Sequence, residues 1–193
     1  MAFSIGFSRN PRDDFGVFAK GYRMAAVALV AELSRKPRFS CYEAFPVIFL
    51  YRHALELALK NIIYKAAQLA AFQRLDAVDA QLHNKHNVAT LAQRSRQVLI
   101  TLFPHDLDLN RIADDMLRLA QDVTLIDSDS YTYRYPIDTK GNPAVTHEQC
   151  ITLDEFSKRT DGMLEHLETI DFGIQIETHK ARELYDIIEE MTN

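Results

Sequence analysis

The chain has 193 residues, enough for one sizeable core, and no linker-like stretch divides it, so a single domain over 1–193 is expected. With 47% hydrophobic and 25% charged residues its composition is far from that of disordered chains, and a net charge of −5 excludes nucleic-acid binding driven by a general basic excess. Cys41 and Cys150 are too few for a disulfide framework, and no signal-peptide pattern or membrane-length apolar run occurs, so a cytoplasmic protein without membrane contact is expected.

Asp13 and Asp14 are placed to cap a first helix, in which Phe15, Phe18, Tyr22, Ala25, Leu29 and Leu33 recur at the spacing of one buried face. Pro37 stops it. A second segment opens near Ser40, and Pro46 puts its helical start around Glu43 to Phe45. From there to about Gln73 no Gly or further Pro interrupts a run rich in Ala and Leu, which predicts one long helix.

Asn87 is a cap for a shorter helix carrying Val88, Leu91, Val98 and Leu102, ended by Pro104. An amphipathic stretch from about Leu109 to Leu125 follows, with Ile112, Met116, Leu119 and Val123 on one face. Tyr131-Thr132-Tyr133-Arg134-Tyr135-Pro136 then changes the character to aromatic and β-branched. With turn chemistry at Thr139 to Pro143, it predicts a small β-hairpin or extended flap near 131–148. In a strand the three tyrosines would share one face and Arg134 the other. Asp154 caps a closing helix with Phe156, Met163, Leu167 and Ile170 on one face and a potential bend at Gly173. The fold class is therefore mainly α: an antiparallel helical bundle of about five helices plus the flap.

The second helix carries the feature that most needs a reason. Arg52, Glu56 and Lys60 climb one side of it and His53 lies about a quarter-turn away, on a helix otherwise apolar nearly all round. Three readings are open: a solvated i, i+4 ladder, the wall of a cleft that contacts a phosphate, base or carboxylate, or a buried ionic knot pinning the flap or a partner subunit. The residue types needed to act on an RNA backbone are present in Arg52, His53, Glu56 and His86, which are the catalytic candidates, with Lys60, Tyr133, Arg134 and Tyr135 the candidates for contacting a ligand or partner. No Gly-rich phosphate loop, HExxH or recognised metal spacing occurs, so neither a metal nor a cofactor is expected.

Residues 49 to 60, Phe-Leu-Tyr-Arg-His-Ala-Leu-Glu-Leu-Ala-Leu-Lys, followed by His86-Asn87-Val88-Ala89-Thr90-Leu91, resemble the helix and His-Asn-Leu-x-x-Leu arrangement of HEPN-like proteins. Tyr133-Arg134-Tyr135-Pro136 with Asp138 and Gly141 is similar to a flap of such relatives. The resemblance covers roughly the first two-thirds of the chain. It implies a small helical bundle, a homodimer, and a place in a prokaryotic antiphage defence, toxin–antitoxin or RNA-processing system, with a partner protein from the same operon, RNA or a nucleotide as ligand. One departure qualifies it: no arginine is followed five positions on by histidine, so the Arg-x4-His motif of the superfamily's ribonucleases is missing. The expected function is a binding module, and the alternative is a ribonuclease or nucleotide-modifying enzyme with a non-standard Arg/His/Glu cleft.

Overall fold

The computed structural model describes residues 14–73, 85–127, 132–137, 140–144 and 151–192. Tyr131, His83, Asp138 and Cys150 lie outside them. Among the described residues five helices follow in order: α1 Phe15–Leu33, α2 Cys41–Phe72, α3 Val88–Leu102, α4 Leu107–Ile126 and α5 Leu153–Thr192. The expected mainly helical bundle of about five helices is what forms among the described residues.

The chain builds these helices with local signals. Ser40 and Glu43 make a reciprocal capping box that satisfies the first backbone N–H groups of α2. This moves the start of α2 ahead of the expected Glu43 to Phe45 and leaves Pro46 inside the helix. Proline there, the sixth helical residue, removes the one backbone hydrogen bond that an N–H at this position would donate to Tyr42 O. Asn87 Oδ1 accepts from Thr90 N at 2.9 Å and Asp106 Oδ1 from Leu109 N at 2.9 Å, so α3 and α4 each open on a side-chain cap. Asp154 lies in the first turn of α5 instead of capping it, where its charge suits the helix dipole, and α5 continues unbroken through Gly173.

α2 is the axis of the bundle. It packs against α1, α3 and α5, while α3 pairs with α4. From Tyr51 to Tyr64 every residue except His53 is buried. Its ~48 Å length, from 32 residues at a rise of about 1.5 Å, lets three neighbours share it. Phe15 stacks on Tyr64 and Tyr22 meets His53, so α1 runs antiparallel to α2. Contacts of Ala89 with Thr124 and Arg96 with Asp114 make α3 and α4 antiparallel too. By contrast, Tyr51 meets Phe156 and Phe72 meets Tyr185, so α5 runs in the same direction as α2.

The expected hairpin does not form among the described residues. Residues 132–134 are a turn, and the segment's β character is one isolated bridge, Ile137 to Pro143, closed by Ala144 N donating to Pro136 O at 3.0 Å. The reason is local: Pro136 and Pro143 have no N–H to extend a ladder, and Gly141, at φ +84°, makes a tight reversal between them. Among the described residues no helix is long and apolar enough to cross a membrane.

Candidate functional site

The stripe on α2 is buried. Arg52 is 0% exposed, Glu56 2% and Lys60 4%, so neither the solvated ladder nor an open cleft wall describes them. Glu56 is the hub. Its Oε2 accepts from Arg52 Nη1 at 2.9 Å, its Oε1 accepts from Lys60 Nζ at 2.8 Å, and His86 Nδ1 lies 2.9 Å from the same Oε1. Because a carboxylate only accepts, the His86 ring carries its hydrogen on Nδ1 in this contact.

Arg52 uses the rest of its fork on two other elements. Nη2 donates to the backbone oxygen of His86 at 2.6 Å, just ahead of α3, and Nε donates to the backbone oxygen of Asp127 at 3.4 Å, at the end of α4. Asp127 Oδ2 also lies 3.4 Å from Nε as an ionic contact, and its Oδ1 accepts from Thr132 N at 3.3 Å. Two cations and two carboxylates therefore balance inside the bundle. They bind α2 to the entry of α3, the exit of α4 and Thr132 beyond it. Burial pushes the Glu56 carboxyl up, but the hydrogen bonds from Lys60, Arg52 and His86 outweigh it and hold the group below its ordinary value.

His53, a quarter-turn away, faces a different environment. Its ring stacks on Phe49 at 5.6 Å between centroids, with 12° between the planes, and meets Tyr22 edge-on at 4.5 Å. Arg134 lies across the same patch, with its guanidinium carbon 5.4 Å from the Phe49 centroid and 5.7 Å from that of Tyr135. Partial burial lowers the His53 pKa; Glu56 opposes the shift, and the positive charges of Arg52, Arg134 and Lys60 add to it. The ring is kept neutral to a lower pH than a free histidine.

Of the three tyrosines expected on a common face, Tyr131 lies outside the described residues and the other two separate. Tyr133 is buried against Phe45, 5.1 Å between centroids, whereas Tyr135 is 52% exposed beside Arg134. A turn, unlike a strand, does not return alternate residues to one side. The structure thus divides the candidates into two groups. Arg52, Glu56 and Lys60 form an internal knot, with His86 at its rim and its side chain 58% exposed. His53, Arg134 and Tyr135 form an aromatic and cationic surface patch together with Phe49 and Tyr22.

Sequence reasoning missed two contributors. One is Asp127, whose place between the end of an amphipathic helix and a turn-rich segment was its only signal. The other is the clamp around Arg23, which holds Asp161 at 2.7 Å, Glu165 at 2.7 Å and Glu168 at 3.1 Å and fastens α1 to α5. Their spacing of four and three residues along one face of α5 is legible in hindsight. Compared with protein-family models, curated proteins and solved structures, the chain has no match.

Proposed function

We propose that the chain is a HEPN-like helical module of a prokaryotic defence or toxin–antitoxin system, working as a homodimer and binding RNA, a nucleotide or a partner protein through the patch of His53, Arg134 and Tyr135. The observation that carries the preference for binding over cleavage is the burial of Arg52. A guanidinium that stabilises charge on a reacting phosphate must reach it, and this one is enclosed and hydrogen-bonded to three other residues. Arg134 and Tyr135, in contrast, offer an exposed cation beside an exposed ring, the chemistry that holds an unstacked base next to its phosphate. With a net charge of −5 the contact has to be local.

Fluorescence anisotropy with a short single-stranded RNA tests this. Saturable, salt-dependent binding is expected, with Tyr135→Ala weakening it by about 5–100-fold, the range for loss of one stacking partner. Arg134→Ala should weaken it comparably and flatten the salt dependence. Intact RNA after prolonged incubation fits the module; cleavage abolished by His53→Ala would move the conclusion to the nuclease alternative.

The homodimer has surfaces to draw on. The apolar residues of α2 from Tyr51 to Tyr64 are used within the protomer, but Val17 and Met24 on α1 and Phe172, Leu184 and Ile187 on α5 are exposed. Sedimentation as a monomer at every concentration would remove this part of the proposal.

A further inference from the structure

A groove between α1, α2 and α5, lined by none of the knot or patch residues, holds two polar groups that the fold does not use beside the Arg23–Glu168 pair that it does. Its volume is about 360 Å³, within the range of small-ligand sites. Asn61, in the middle of α2, lines it at 4% exposure, and its Oδ1 is enclosed with no hydrogen-bond partner among the described residues. Gly16 of α1 faces this amide: a Cβ there would stand 3.2 Å from Asn61 Nδ2 and 3.4 Å from Oδ1. The amide therefore lies against bare backbone, where any larger residue would press on it.

A second enclosed acceptor without a partner, Asp171 Oδ1 of α5, lines the same groove, while Oδ2 of that carboxylate accepts from Gln175 Nε2 at 2.8 Å. Lys20, one turn along α1 from Gly16, and Lys65, one turn along α2 from Asn61, flank the two acceptors. Leu164, Leu167 and Ala58 supply apolar floor. Buried acceptors without donors destabilise a fold, and an apolar side chain of the same shape at position 61 would remove that cost.

Two acceptors ask for a donor-rich group, which a simple anion lacks, and the flanking ammonium groups oppose a bare cation. A ligand with both an ammonium and an anion on neighbouring atoms answers both conditions. We propose that this groove binds a free α-amino acid with an apolar side chain. Its ammonium donates to Asn61 Oδ1 and Asp171 Oδ1, its carboxylate meets Lys20 or Lys65, and its side chain lies on Leu164 and Leu167. The site is independent of the reading of the surface patch.

Titration calorimetry on the full chain with free leucine, isoleucine, valine, methionine and phenylalanine tests it. At least one should bind saturably, and its N-acetyl and amide forms should bind about tenfold more weakly or worse, each having lost one charged end. Asn61→Leu should melt no lower than the wild type and lose binding by a similar factor. Absence of binding by all of these amino acids overturns the proposal, as does an Asn61→Leu protein that binds like the wild type. Should that variant fail to fold, the double substitution Lys20→Met with Lys65→Met decides: weaker binding of the amino acid with unchanged binding of its amide supports the site, and equal binding of the amino acid by variant and wild type overturns it.

Discussion

Glu56→Gln is expected to lower the unfolding free energy by about 3–5 kcal/mol, the usual cost of leaving a buried charge without its partner. The substitution keeps shape and volume and removes only the charge. Glu56 takes hydrogen bonds from both Arg52 and Lys60, themselves fully or almost fully buried. A carboxamide offers one accepting atom and one donating group, so one of the two cations must face N–H. The knot, balanced with Asp127 included, also acquires a net positive charge in a place water does not reach. Urea denaturation measures the loss, which should appear in the midpoint with an unchanged slope if the denatured state is unaffected. Replacing the whole cluster is predicted to behave differently. Arg52→Met, Glu56→Leu and Lys60→Met combined with Asp127→Asn should recover most of that loss, because apolar groups of similar volume avoid the desolvation that the ions suffer. A loss below about 1 kcal/mol in Glu56→Gln would mean that the stripe is solvated after all, since exposed pairs are worth no more than that.

Most of the helical layout could be read from the chain because periodicity, caps and breakers agree in it. Asn87 caps where a polar residue precedes an apolar repeat, and the long α2 has no interior glycine to contradict its pattern. Errors fell where one local signal had to be weighed against another. At the start of α2 the Ser40 and Glu43 capping box outweighs Pro46, and after α4 the prolines outweigh the β propensity of the tyrosines. The location of the polar stripe was legible, but its burial was not, because an i, i+4 ladder looks the same whether solvent or other helices cover it. What covers it is Asp127 and His86, from 75 and 34 residues away, and nothing local in the sequence reports such distances. Asn61 escaped notice for the opposite reason: a single amide in an apolar run carries no pattern, and its lack of a partner is a property of the packed structure alone.

Stability should fall as pH is lowered from 7.5 to 5, and His53→Phe should remove much of that slope. In the folded chain the His53 pKa lies below its ordinary 6.5. The unfolded chain therefore takes up the proton first, and between the two values it binds more protons than the folded one. A group of this sign contributes its full stability above the unfolded pKa, near 6.5, and loses it as pH falls through the folded value. The maximum slope from one such group is about 1.4 kcal/mol per pH unit. Glu56 has the same sign: its contribution is complete above 4.5 and is lost as pH falls through its depressed folded value, which adds a further decline at acid pH. Burial of the ring is the main reason that charging His53 is unfavourable; Glu56 opposes the shift, and the positive Arg52, Arg134 and Lys60 add to it. Phenylalanine preserves the stacking on Phe49 and the edge contact with Tyr22 while deleting the titration, so thermal melts of the two proteins across this range isolate the histidine. A wild-type midpoint that stays level from pH 7.5 to 5 would contradict the assignment, and so would a His53→Phe protein with an unchanged slope. The same charge balance bears on the surface patch. A phosphate bound beside Arg134 would offset the positive charge that keeps His53 neutral, so RNA binding should itself strengthen as pH falls through the His53 transition.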